Sequence, residues 1–153
     1  MTIFIGADHR GFELKAKIVL FLRAQGHEVI DVGTYVPEPP CDYPKLSLAV
    51  ALNVTKHKNS RGILLCLTGI GHSIAANKVP GAYAALCHSR EVAVLSRQHN
   101  NANVLVLGSN FIAEKEMMEI IKVWLSTDFE GGRHLRRVKQ VKAIEKRFLK
   151  SKE

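Results

Sequence analysis

Two periods of apolar recurrence take turns along this chain. Residues 2–5 (TIFI) form a short apolar, β-branched run closed by Gly6, which predicts a strand. Phe12, Leu14, Ile18, Leu20, Phe21 and Leu22 then fall largely on one helical face, and Gly26 marks the end of that helix. Residues 27–32 (HEVIDV) return to strand character. Residues 34–44 (TYVPEPPCDYP) carry Pro37, Pro39, Pro40 and Pro44, so an extended connection is expected, with Pro44 in the first turn of a helix through residue 56. Residues 62–65 (GILL) are apolar throughout, as a parallel strand covered on both faces should be. A glycine-bearing loop and short helix (66–78), a strand (82–86), and a helix over 91–98 capped by Ser89 follow. A strand (104–107), a long helix (113–126), a loop (127–132) and a basic terminal helix complete the series.

Strands that alternate with helices predict a parallel sheet, because parallel neighbours need crossover connections. The expected architecture is a three-layer α/β/α sandwich with five parallel strands and a C-terminal helix. The length of 153 residues suits one domain spanning 1–153. Ligands of open α/β sheets bind beyond the carboxyl ends of the strands. That rule selects residues 6–10, 66–73, 87–90 and 108–111.

Composition narrows the class. No apolar run approaches the roughly 18 residues that cross a bilayer, and the N-terminus MTIFIGADHRG lacks the pattern of an export signal. Neither membrane insertion nor export is expected. Cys41, Cys66 and Cys87 are odd in number and widely spaced, which fits a reducing cytosol better than a disulfide framework or a zinc knuckle. The formal net charge of +8 suggests an anionic partner, but most of the excess lies in residues 133–153, at the spacing of a solvated helix face. No aromatic stacking surface interleaves with those cations, Phe148 being the one Phe, Tyr or Trp among them, so no nucleic-acid partner is expected.

The richest segment for chemistry is Cys66-Leu67-Thr68-Gly69-Ile70-Gly71-His72-Ser73, a thiol, a hydroxyl and two glycines at a strand-to-helix turn. Amides at such a turn bind anions or stabilise an oxyanion. A dinucleotide site would need a small residue where Ile74 stands. A cysteine after a buried strand is often a small hydrophobe. At a helix N-terminus its thiolate is favoured, and a lowered pKa would make it a base. Asp8 and His9 end the first strand, where they can hold sugar hydroxyls and a phosphate or simply cap a helix. Arg133 and Arg137 lie one helical turn apart, as a phosphate clamp or as two solvated cations.

Taken in order, GADHRGFELK, DYP, CLTGIGHSIAANKVPG, CH, RQHNNANVLVLG and WLSTDFEGGRHLRRV resemble the ribose-5-phosphate isomerase B family over nearly the whole chain. The resemblance implies a Rossmann-like fold, no metal or other cofactor, and a homodimer or homotetramer whose pocket draws on two subunits. It implies an aldose-ketose isomerase of the non-oxidative pentose phosphate pathway in the cytoplasm. Carried over by position, Cys66 is the base, His99 the acid that opens the furanose ring, and Thr68 a hydroxyl on the enediolate. Asp8, His9, Leu67, Gly69, Ile70, Gly71, Asn100, Asn110, Arg133 and Arg137 surround the sugar and its phosphate.

Two positions depart from the pattern. Leu67 stands where the family commonly has glycine, which asks whether that residue needs φ > 0 and narrows the pocket. Asn110 stands where some members place a phosphate-binding arginine. The competing expectations are a related isomerase of galactose 6-phosphate or allose 6-phosphate and, more remotely, a phosphate or nucleic-acid binding module without turnover.

Overall fold

A computed structural model describes residues 1–35 and 41–150 and shows the expected sandwich. Pro37, Pro39 and Pro40 of the predicted connection lie outside the described residues. The strands are β1 (Thr2–Ala7), β2 (Glu28–Asp31), β3 (Ser60–Cys66), β4 (Ala84–Leu86) and β5 (Val104–Gly108). The helices are α1 (Phe12–Ala24), α2 (Tyr43–Lys56), α3 (Ile70–Ala76), α4 (Arg90–Gln98), α5 (Glu114–Ser126) and α6 (Gly132–Lys150), with a 3-10 turn at His9–Gly11.

Every strand pairing is parallel and the spatial order is β2-β1-β3-β5-β4. The chain moves outward from β1 to β2, then returns to the other side of β1 with β3. The gap between the carboxyl ends of β1 and β3 is therefore the topological switch point, where such sheets open a crevice.

Period-2 alternation divides the core between the two faces. Ile3, Ile5, Ile63, Leu65, Leu105 and Leu107 meet Ile18, Leu22, Ala93, Met117, Ile120, Ile121 and Trp124 on one face. Phe4, Leu64, Val104 and Val106 meet Val50, Ala51, Val54 and Ala76 on the other. Trp124 is fully buried and donates its indole N–H to Ser96 Oγ at 3.2 Å. Trp124→Ala is expected to cost about 3–5 kcal/mol of unfolding free energy, read as a lower midpoint in urea.

All five strands differ from the sequence expectation by one or more residues at their ends, and β3 and β4 show why. β3 runs from residue 60 to 66 because Ser60 pairs with Thr2 and Cys66 with Gly108. β4 begins only at Ala84, since Ala82 N–H closes a turn onto Val79 O and Tyr83 N–H is taken by Asn103 Oδ1. Beside β1, the buried Lys15 ammonium donates to Asp31 Oδ1 at 2.7 Å and to Thr34 O, which ties the chain after β2 to α1.

Candidate active site

Asp8 and Cys66 meet at the switch point because Ala7 pairs with Leu65, which puts the two following residues side by side. Asp8 caps the 3-10 turn, its Oδ1 accepting from Arg10 N at 3.0 Å and Gly11 N at 3.1 Å. The cap and the crevice role suggested by the sequence are thus compatible. His9 follows in the turn, with a buried Nδ1 that has no partner among the described residues. Cys66 is the last residue of β3, and its side chain retains 8% exposure.

The loop after Cys66 wraps its sulfur. Gly69 N–H donates to Sγ at 3.0 Å, and Thr68 Oγ1 accepts from Ile70 N at 3.3 Å while its hydroxyl also interacts with the Cys66 sulfur. Gly69 takes φ +80° as the N-cap of α3, a conformation a side chain would resist. Leu67 does not have a positive φ, so its replacement of glycine imposes no backbone strain there. Gly108 backs the loop: a Cβ at that position would stand 2.5 Å from Thr68 O. Asn110 is exposed and donates its N–H to Leu67 O at 3.0 Å. Ile70 is exposed and Gly71 half-buried against Tyr43.

The lowered thiol pKa expected from the helix terminus is overturned. Burial pushes the Cys66 thiol up, the amides of Gly69 and Thr68 pull it down by less, and the Asp8 carboxylate adds to the upward shift. The physical reason is that desolvation of a nearly enclosed sulfur outweighs two N–H donors and the Thr68 hydroxyl at the start of a seven-residue helix. Cys87 is pushed further, to about 11, by burial, with the hydrogen bond to Ser96 opposing. It is a core residue, as is expected of a cysteine away from the crevice.

The remaining predicted site residues lie at the other end of the sheet. His99 caps the C-terminus of α4, which runs back toward the start of β5. Along β5 alone, Val104 to Gly108 spans roughly 13 Å at about 3.3 Å per residue. His99 stacks on His134 with ring centroids 4.0 Å apart and 10° between planes. Tyr83, His99, Asn100, His134, Arg137 and Val138 line a cavity of about 270 Å³ in the same region. Arg133 and Arg137 are exposed one turn apart at the start of α6, and Arg133 Nε donates to His134 Nε2 at 3.4 Å. Burial, His99 and Arg133 hold the His134 pKa below its ordinary value, with Glu130 opposing.

The predicted site residues therefore fall into two separated groups. Asp8, His9, Cys66, Leu67, Thr68, Gly69, Ile70, Gly71 and Asn110 stand at the carboxyl edge, and His99, Asn100, Arg133 and Arg137 at the amino edge.

Three residues escaped the sequence reading. Arg97, inside the RQHNN run, is buried and donates to Asn101 Oδ1 at 3.0 Å, Thr127 O at 3.2 Å and Ala102 O, pinning the turn that carries His99 and Asn100. Burial lowers its pKa to about 10. His134, between the two noted arginines, is buried against His99. His72 was a visible signal, an imidazole in a short run of small and apolar residues, yet its burial and orientation are tertiary facts.

Comparison with known proteins gives this geometry a family. The profile of the family described as Ribose/Galactose Isomerase matches residues 3–141. Ribose-5-phosphate isomerase B of Escherichia coli (strain K12) is 47% identical over 95% of this chain and 97% of its own length. The structure of ribose-5-phosphate isomerase B from Clostridium thermocellum superposes with a TM-score of 0.93 at 47% identity, covering 97% of this chain and 99% of that one. The enzyme from Mycoplasma genitalium with bound ribulose-5-phosphate gives 0.92 at 43% identity, covering 95% and 96%. With matches of this extent and a thiol held at the switch-point crevice, the chain belongs to the ribose/galactose isomerase family.

Proposed function

We propose that this chain, acting as one domain over residues 1–153, interconverts D-ribose 5-phosphate and D-ribulose 5-phosphate through an enediolate. The carrying observation is the Cys66 sulfur, held by Gly69 N–H at the crevice beside Asp8, in a chain similar over nearly its whole length to enzymes of that name. His99 protonates the ring oxygen as the furanose opens, and the C1 hydroxyl proton leaves to solvent as the aldehyde forms. Cys66, as thiolate, removes the proton from C2, and the resulting thiol returns it to C1, while the hydroxyl proton passes from O2 to O1. Negative charge on the enediolate oxygens is met by the 67–71 loop and the Thr68 hydroxyl, where one lost oxyanion donor costs about 3–4 kcal/mol. Asp8 and His9 hold sugar hydroxyls, with Asn100, Arg133 and Arg137 around the phosphate and Asn110 at the rim.

The working unit in this reading is a homodimer, or a tetramer of such dimers, in which each pocket joins the carboxyl-edge half of one copy to the amino-edge half of another. Its support is the separation of the two half-sites and the apolar side chains each leaves exposed, Ile70 and Ile74 on α3 and Leu135, Val141 and Ile144 on α6. A second copy would also bring His99, Arg133 and Arg137 to the buried thiol. Positive charge there favours the thiolate and opposes part of the upward shift caused by burial. The three free cysteines fit a reducing cytosol, and among the described residues no helix is long and apolar enough to cross a membrane.

The test is direct assay of ribulose 5-phosphate formation, with galactose 6-phosphate and allose 6-phosphate in the same panel. Turnover on ribose 5-phosphate by this chain alone is expected. Because the base must be deprotonated and its pKa is raised, kcat/KM should climb from neutral pH into the alkaline range. A six-carbon substrate preferred by more than tenfold would replace the assignment, and a profile flat above pH 6 would remove Cys66 as the titrating base.

A further inference from the structure

His72 sits in α3 with its side chain completely buried, and the reaction as described makes no use of it. Its Nδ1 lies 2.6 Å from Ser47 Oγ. Ser47 donates its hydroxyl hydrogen to Tyr43 O at 3.0 Å, so it accepts from His72 Nδ1–H. That assignment leaves a lone pair on Nε2, which makes no hydrogen bond among the described residues, with the Leu65 carbonyl close enough to compete for the ring proton. A bare imidazole nitrogen in a protein interior is costly unless something fills it. Tyr43 packs edge-on against the ring at 5.7 Å and holds it in place.

The surroundings indicate what would fill it. A ring nitrogen of His72, Cys66 Sγ and a carboxylate oxygen of Asp8 all lie within 4.8 Å of one another. With Nδ1 engaged by Ser47, Nε2 is the nitrogen left for a ligand. Asp8 Oδ1 is occupied by two backbone amides, which leaves Oδ2. The three donors come from the end of β1, the end of β3 and the first turns of α3, so the frame that holds them is rigid.

We propose that Asp8, Cys66 and His72 form a site for a zinc-class divalent cation, which caps the thiol and reversibly switches turnover off. Sulfur, imidazole nitrogen and a single carboxylate oxygen select Zn2+ or Co2+ over Mg2+ or Ca2+. Bonds of about 2.0–2.3 Å put tetrahedral ligand atoms about 3.5 Å apart, a spacing that small side-chain rotations reach from the present positions. The fourth position opens into the crevice and is left to water. The Nδ1–H to Ser47 contact orients the ring as outer hydrogen bonds do at metal histidines. Binding exchanges the Cys66 S–H bond for a sulfur-metal bond and releases the proton to solvent. The sulfur pair is then committed to the metal and no longer accepts a substrate proton. The inhibitory consequence rests on the reading of Cys66 as the base, whereas the metal site does not.

The experiment titrates the full, chelator-stripped chain with Co2+ and follows its absorption. Expected are a near-ultraviolet thiolate-to-cobalt charge-transfer band and intense visible bands of a tetrahedral ion, saturating at one equivalent per chain and displaced by Zn2+. The second such cluster among the described residues, His99, Glu130 and His134, has no thiol and cannot give the charge-transfer band. His72→Leu should weaken Co2+ binding by well over the roughly tenfold that loss of even an outer hydrogen bond costs, and should return the ratio of rates with and without Zn2+ to one. Ser47→Ala, which keeps all three ligands, should weaken binding by about 10–100-fold and carries the test if His72→Leu does not fold. Absence of the thiolate band in the unaltered chain overturns the proposal. So does an unchanged Co2+ affinity in His72→Leu or, where that variant is unfolded, in Ser47→Ala. A chain that shows the band but no isomerase activity would keep the metal site and refute the proposed reaction. An active chain without the band would do the reverse.

Discussion

Cys66→Ala is expected to lower kcat on ribose 5-phosphate by about 10³-fold, within the range that a positioned general base contributes. The side chain is small and nearly enclosed, so its loss removes one sulfur and little packing. Far-ultraviolet circular dichroism and the unfolding midpoint should stay close to those of the unaltered chain. The loss should fall on kcat and on kcat/KM together, because the thiolate acts on the reacting carbon and not on the phosphate. Cys66→Ser, whose hydroxyl is a far weaker acid, should not rescue the rate. If Cys66→Ala retained kcat within tenfold while folded, another group would be the base.

Mixing two inactive variants should restore activity. Cys66→Ala empties the carboxyl-edge half-site, and His99→Ala empties the amino-edge half-site. If each pocket joins half-sites from two copies, a mixed dimer has one pocket carrying both lesions and one carrying neither. Random exchange of subunits makes half of all dimers mixed, so about one quarter of all pockets are intact in a two-fold assembly. The expected recovery is that fraction of unaltered turnover, appearing only after subunits exchange and peaking at an equal ratio. Two variants that never complement, in a preparation shown by mass to contain mixed dimers, would mean that each pocket is built within one chain.

Much of the fold was readable in the chain because parallel strands buried on both faces must be continuous apolar runs. The GILL and VLVL segments stand out for that reason, and both are central strands. Ile3, Phe4 and Ile5 also show their division between faces by parity alone. The limits of β4 were less legible, since Asn103, twenty residues away, decides where its pairing begins. The crevice at Asp8 and Cys66 could be anticipated from the rule that ligands lie beyond the carboxyl ends of parallel strands, whereas the switch point itself needed the strand order.

Local pattern alone thus established the layered sheet, the helix ends at Gly26 and Ser89, and the turn that carries the thiol. These depend on backbone conformation and on the period of apolar residues, which are properties of neighbours in the chain. The titration of Cys66, the bare nitrogen of His72 and the distance between the two half-sites were settled only when the chain was folded. Desolvation depends on every atom around a sulfur, and a histidine tautomer on which hydroxyl faces it. The placement of His99 opposite Cys66 depends on α4 returning along the sheet. Those are properties of contacts between distant residues, and no local pattern encodes them.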